Sequence, residues 1–247
     1  MASTKKSTTD LEASPDSRIL AIDIGGTGLK AALLNVEGEL LTERNRIDTP
    51  HPTTRESLLA ALTTLVEPLG DYDLISVGFP GVVRNGVIIT APNLGTEEMK
   101  DLNLAAELQQ LLGKPTRVIN DADMQGYGAI EGEGLEMVVT LGTGFGSALF
   151  MDGELAPHLE IAHLPFRQKQ TFEEQTGDSA RKKIGRKRWN RRVKRAIEFL
   201  RTLTHFDKLY IGGGNAIRID FKLDPDVKTI SNDAGVKGGA WLWRKRD

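Results

Sequence analysis

The sequence predicts an α/β protein built from two related lobes, and three observations carry that prediction. Short apolar runs of strand length alternate with helically spaced segments along most of the 247 residues. The stretch Ile22-Asp-Ile-Gly-Gly-Thr-Gly-Leu-Lys-Ala-Ala-Leu returns as Val139-Thr-Leu-Gly-Thr-Gly-Phe-Gly-Ser-Ala-Leu, one glycine shorter. Each copy opens one half of the chain and reads strand, glycine-threonine loop, strand. The expected picture is two facing lobes with a cleft between them.

Taken in order, residues 1–17 are rich in Ser, Thr and Lys and lack an apolar core, so they read as a disordered tail. Residues 19–23 form an apolar strand that runs into Gly25-Gly26-Thr27-Gly28, and 29–34 form its partner. A third strand is expected over 40–48. Leu58, Leu62, Leu65, Val66 and Leu69 recur at helical spacing, which predicts a helix over 57–69. Residues 74–79 are a buried strand stopped by Pro80-Gly81. A short amphipathic helix over 104–112 precedes a strand at 117–119, and a helix is expected after Asp121. The second half supplies strands at 137–141 and 147–151 around Gly142-Thr143-Gly144, and a strand at 208–211 before Gly212-Gly213-Gly214. A closing helix is expected over 234–243. The expected domains are a small lobe over 18–121 and a larger one over 122–247, with the last helix packing back on the small lobe.

Composition narrows the function. Hydrophobic residues make up 39% and charged residues 27%, a globular balance, and no apolar run approaches the length of a bilayer span. No membrane partner is expected, and the cytoplasm is the expected location. Cysteine is absent, which excludes disulfides, thiolate catalysis and cysteine zinc sites.

The loops hold the chemistry. Glycines let backbone N–H groups converge on an anion, and Thr27 and Thr143 add hydroxyls, so each loop is either an ordinary hairpin or a phosphate cradle. Neither is a Walker loop or a dinucleotide fingerprint, because a strand follows rather than a helix. Asp23, at the mouth of the first loop, is a turn residue or a holder of Mg²⁺, directly or through water. Asn120 and Asp121 follow a strand, where a carboxylate is either a helix cap or a base aimed at a ligand crevice. Glu160 and His163 add the carboxylate and imidazole that suit paired sugar hydroxyls.

Asp23-Ile-Gly-Gly-Thr-Gly, Pro80-Gly81, Asn120-Asp121, Leu141-Gly-Thr-Gly, Glu160-Ile-Ala-His163, Gly212-Gly-Gly214 and Asp233-Ala-Gly235 stand in the order of the ROK (repressor, open reading frame, kinase) sugar kinases. The resemblance runs from about residue 19 to 243 and is nearest to polyphosphate-using members, through Thr49-Pro-His-Pro52, Pro80-Gly-Val-Val83, Ala91-Pro-Asn93 and Asn120-Asp-Ala-Asp123. It implies an actin-like (ribonuclease H-like) two-lobed fold. It implies a kinase acting on the 6-hydroxyl of glucose, with Asp121 as general base and Mg²⁺ as cofactor; mannose and glucosamine remain alternatives. Asn120, Glu160, His163, Gly81, Asn93 and Glu173, with Glu174 as the other register, would meet the sugar. Gly25, Gly26, Thr27, Gly28, Lys30, Gly142, Thr143 and Gly144 would hold donor phosphates. A homodimer is the family expectation. Many members carry a cysteine zinc site after the Glu160–His163 motif; here no zinc is expected. Ala162 replaces the usual glycine before His163. No helix-turn-helix precedes the first strand, so the kinase branch rather than the repressor branch is expected.

Ten of the fifteen residues from 181 to 195 are Lys or Arg and none is acidic, although the whole chain carries only −2. On one helix these are a solvated face or, uncompensated, a track for a polyanion. Arg188, Arg191 and Arg192 are therefore assigned to inorganic polyphosphate as donor, with ATP as the alternative. A non-catalytic sugar- or polyanion-binding protein is the less favoured reading. Nucleic acid is not expected, because aromatics beside the run are sparse, with Trp189 the main stacking candidate.

Overall fold

The computed structural model describes residues 11–231 and 234–244. The chain divides into two compact units, 1–128 with 235–247, and 129–234. Residues 1–10 of the expected tail, and Asp233 of the Asp233-Ala-Gly235 motif, lie outside the described residues. Residues 11–17 carry contacts: the Ala13 N–H donates to the Trp243 carbonyl at 3.0 Å, and Leu11 and Ala13 pack on a buried cluster.

The first unit is built on strands β1 (Ile19–Ile24), β2 (Gly28–Leu34), β3 (Asn45–Asp48), β4 (Leu74–Phe79) and β5 (Thr116–Asn120), in the order β3-β2-β1-β4-β5. β1 pairs antiparallel with β2 and parallel with β4, so the ladder turns parallel from β1 onward. Every residue of β4 is buried, as expected of a parallel strand covered on both faces. One face is covered by helix α1 (Arg55–Val66) and helix α2 (Leu104–Leu112), through Leu58, Leu62, Leu65, Leu104 and Leu108. Thr54 and Ser57 close a capping box at the start of α1, and Pro68 ends it in a 3₁₀ turn over Glu67–Leu69. The helix thus starts two residues earlier than its apolar spacing announces, because the capping residues are polar.

The opposite face of this sheet is covered by the chain's closing segment. The expected single helix is instead a short α-helix, Ala234–Lys237, followed by a 3₁₀ segment, Gly238–Trp243. Tight packing explains the difference. A side chain at Gly239 would meet Ala21 Cβ at 2.8 Å and Ser76 Cβ at 3.1 Å. Ser76 Oγ donates to the Gly239 carbonyl at 2.6 Å and accepts from Trp243 Nε1 at 2.8 Å.

The second unit repeats the topology. Its strands β6 (Leu135–Leu141), β7 (Phe145–Met151), β8 (Glu154–Leu155), β9 (Lys208–Gly212) and β10 (Val227–Thr229) run β8-β7-β6-β9-β10. Again the first two pairings are antiparallel and the last two parallel. Helices α4 (Phe172–Thr176), α5 (Asp178–Ile184) and α6 (Arg186–Thr204) follow a small hairpin of Pro165–Arg167 and Gln170–Thr171; α3 (Asp121–Tyr127) belongs to the first unit. Trp189, Val193, Ala196, Ile197 and Leu200 of α6 pack with Met137, Val139 and Leu209 of the sheet. Among the described residues no helix is long and apolar enough to cross a membrane.

Three expectations need correction here. The third strand is only Asn45–Asp48; Leu40 keeps a single bridge to Leu34. The basic run is not one helix, because Gly185, at φ 78°, ends α5 and begins α6. Trp189 is no stacking platform: it is fully buried and its Nε1 donates to the Thr176 carbonyl at 2.6 Å.

Candidate active site

In the first unit the site residues gather at one end of the sheet. Asp23 and Lys30 are cross-strand partners on β1 and β2, and Lys30 Nζ lies 2.9 Å from Asp23 Oδ2. The β1–β2 loop closes through the Gly25 N–H, which donates to the Gly28 carbonyl at 3.1 Å. Thr49 Oγ1 holds the loop from behind by donating to the Gly25 carbonyl at 2.6 Å. Gly28 packs against the Arg46 guanidinium: a Cβ there would stand 2.9 Å from Nη2 and 3.0 Å from Nε, so a side chain would push the arginine off the loop. Arg46 faces Lys30 across β2 and β3, so two cations flank the loop, with Asp48 3.0 Å from the arginine. Gly26 approaches Asn93, whose Cβ is 3.3 Å from where a Cβ on the glycine would sit. Thr27 is exposed.

Sequence reasoning missed Arg46, and it named Thr49 only within Thr49-Pro-His-Pro52, without its role at the loop. The available signal was the alternation of Arg46 and Asp48 on an edge strand beside the glycine loop.

At the end of β5 the two readings of Asn120 and Asp121 divide between the residues. Asn120 is the cap: its Oδ1 accepts from the N–H groups of Ala122, at 2.8 Å, and Asp123, at 3.2 Å. Its Nδ2 donates to the Gly81 carbonyl at 3.0 Å, which fixes the turn after β4. Asp121 is the first residue of α3, half-buried, with Oδ1 accepting from the Ala122 N–H at 2.9 Å. Burial above all, and then the negative charge of Asp23, raise its carboxyl to about 7; Asp123 adds to the rise and backbone N–H groups oppose it. A carboxylate so placed sits at the balance point between accepting and releasing a proton near neutral pH.

Asp23 offers a hard oxygen donor. One carboxylate suits Mg²⁺, which binds through one or two carboxylates together with substrate phosphates and water.

The second unit holds its own set. The β6–β7 loop closes through the Gly142 N–H and the Gly144 carbonyl at 3.1 Å, one residue tighter than its counterpart, so the deleted glycine of the repeat is absorbed within the turn. Thr143 is exposed. Asn215, buried after β9, donates from Nδ2 to the Gly142 carbonyl at 3.2 Å, and the Asp178 N–H donates to the same oxygen at 3.0 Å. Glu160 and His163 flank and end the 3₁₀ turn Ile161–His163; His163 is exposed, and Glu160 lies 3.7 Å from His158 Nε2. The two glutamate registers differ in employment. Glu174 completes a capping box with Thr171 and is exposed, whereas Glu173 is half-buried and accepts from the Phe145 N–H at 3.4 Å.

The basic residues are less uniform than the sequence suggested. Arg181 and Lys182 both pair with Asp178 at 2.7 Å, and Arg186 lies 3.4 Å from Asp220, so part of the charge is compensated. The aspartate lies just before the run, one helical turn from its partners.

Two units of one strand order, each with a glycine loop between its first two strands, and a carboxylate near neutral titration at a strand end define the actin-like class of sugar kinases. The chain belongs to the ROK family, whose model matches residues 19–166. It is 31% identical over 241 residues to the polyphosphate glucokinase of Mycobacterium tuberculosis, an alignment covering 89% of this chain and 88% of that one. The inorganic polyphosphate/ATP-glucomannokinase of Arthrobacter sp. strain KM superposes with a TM-score of 0.84 at 31% identity, covering 92% of this chain and 98% of that one. A ROK family glucokinase from Streptomyces griseus, solved with glucose and AMPPNP, shares the fold at 18% identity and a TM-score of 0.78, over 92% of this chain and 99% of that one.

Proposed function

We propose that the protein transfers a phosphoryl group from inorganic polyphosphate to the 6-hydroxyl of glucose. The observation that carries the reading is Asp121: a carboxylate at the start of α3, beyond the end of a parallel strand, with its titration raised to about 7. Asp121 takes the proton of the 6-hydroxyl as that oxygen attacks the terminal phosphorus. The bond from that phosphorus to the bridging oxygen breaks, and the donor leaves one phosphate shorter. Asn120 fixes the backbone that carries the base. Glu160, His163 and Glu173 are assigned to the other sugar hydroxyls, with Gly81 and Asn93 shaping the sugar's surroundings. Lys30 and the loop N–H groups of Gly26, Thr27, Gly28, Thr143 and Gly144 meet donor phosphates, whereas those of Gly25 and Gly142, expected to do so, instead close their loops. Asp23 would hold Mg²⁺, which when bound neutralises the phosphates during transfer.

Two observations support polyphosphate over ATP as donor. Relatives named for polyphosphate match nearly the whole chain. Arg188, Arg191 and Arg192 stand in no ion pair among the described residues. ATP stays as the second reading because the Arthrobacter relative is named for both donors. A cytoplasmic homodimer belongs to the same reading, on the family resemblance.

The test is a coupled assay for glucose 6-phosphate with each donor supplied separately. Asp121→Asn is expected to lower turnover by about 10²- to 10⁴-fold, the usual worth of a positioned base, with glucose binding retained. Wild-type turnover in that variant would overturn the assignment.

A further inference from the structure

The arginines of α6 do not share one environment. Positions 188, 192, 195 and 199 follow each other by four, three and four residues, so they form one stripe along the helix. Phe199 on that stripe meets the ring of Phe166, centroids 5.6 Å apart, and Phe166 immediately precedes Arg167 in the hairpin strand Pro165–Arg167. Phe166 is buried and also packs on Phe172 of α4 at 4.7 Å. The hairpin is therefore docked on the arginine stripe. Arg195 lies over the Phe199 ring at 5.7 Å, and Arg192 Nη1 donates to the Gln175 carbonyl of α4 at 3.5 Å. Burial, and then the charges of Arg167 and Arg188, hold the Arg192 guanidinium below the usual arginine value. None of these four arginines forms an ion pair among the described residues. Arg191, three residues after Arg188 and four before Arg195, borders the stripe on its outer side.

This surface connects to the second glycine loop through a single short helix. Glu173 of α4 accepts from the Phe145 N–H beside the loop, a Cβ at Gly177 would stand 2.9 Å from the Thr143 carbonyl, and Gln175 of the same helix takes Arg192. Arg167 and Arg188 act on Arg192 through their charges, Arg195 continues the stripe, and with no ion pair to offset them these guanidinium groups repel one another. A linear chain of phosphates relieves that repulsion, because each fork matches a pair of phosphate oxygens.

We propose that Arg167, Arg188, Arg192 and Arg195 form a ledge that holds the non-reacting phosphates of the donor, so that the enzyme discriminates donors by length. The proposal rests on the polyphosphate reading above. It adds Arg167 and Arg195 to Arg188, Arg191 and Arg192, the residues read from the basic run, with Arg191 at the ledge's outer border.

The experiment compares Arg167→Gln, Arg195→Gln and, as a charge-matched control before the start of β5 and away from Asp121, Lys114→Gln on long-chain polyphosphate, tripolyphosphate and ATP, with a direct titration of labelled long-chain polyphosphate. Arg167→Gln and Arg195→Gln each raise KM and Kd for the long chain by about tenfold, the loss of one charged hydrogen bond. KM for glucose, tripolyphosphate and ATP stays within about twofold of wild type, and Lys114→Gln leaves long-chain binding within about twofold as well. A long-chain KM in Arg167→Gln and Arg195→Gln no higher than in Lys114→Gln would overturn the ledge while the donor reading stands. Wild-type enzyme that uses ATP but no polyphosphate overturns the donor reading, and the ledge with it.

Discussion

Asp121 is asked to be a base in surroundings that favour its neutral form, and that tension has measurable consequences. The carboxyl ionises at about 7 in the folded chain against an ordinary value of 3.8. A base works only when ionised, so kcat/KM in the free enzyme rises with pH up to about 7 and then levels. A profile flat between pH 5 and 8 would remove Asp121 from that role. The same shift has a stability consequence of opposite sense. Below about pH 4 both folded and unfolded chains hold the proton and no difference arises; between there and 7 the folded state holds it alone, so stability falls as pH rises. Asp121→Asn removes the titration. Its Tm is expected to match wild type near pH 4, to exceed it increasingly as pH rises to about 7, and to hold a constant excess above that, as differential scanning would read. Neither effect was legible in the sequence, which gives Asp23, Asp121 and Asp123 but not their proximity or burial.

Elements were legible where local signals agreed. β1, β2, β6 and β7 announced themselves because apolar runs and glycine loops coincide, and Asn120 announced a helix start by its residue type. β3 was overextended because an exposed edge strand has no apolar pattern to bound it, its four residues alternating between partly and fully exposed. The basic helix was misjudged for a different reason. Its charges dominate the composition, yet the period of Trp189, Val193, Ala196, Ile197 and Leu200 marks the buried stripe. Trp189 is therefore a core residue whose Nε1 holds the end of α4 through Thr176. Trp189→Ala is expected to cost about 3–5 kcal/mol in denaturant unfolding, the range for emptying a large aromatic site. An unfolding midpoint unchanged by that substitution would return Trp189 to the surface.

At the scale of the whole molecule the repeat seen in a few residues proved to be a repeat of topology, five strands in one order in both units. Only the strand–loop–strand openings kept enough sequence likeness to be seen; the parallel strands that complete each sheet are constrained by burial alone, which many apolar sequences satisfy. Charge behaves in the same divided way. The net charge of −2 gives no overall attraction for an anionic donor, so attraction has to come from clustered cations such as those on α6 and the hairpin. Such clusters act over about 8–10 Å at moderate salt, and each phosphate they neutralise releases a counterion. With three or four phosphates engaged, kcat/KM for long-chain polyphosphate is expected to fall roughly 20- to 50-fold between about 50 and 200 mM salt, at the slope of a single-stranded polyanion. KM for glucose, an uncharged substrate, stays constant over the same range. Steady-state kinetics across that salt series checks the point, and an equal decline for ATP and long polyphosphate would mean that the extended cationic surface takes no part in holding the donor.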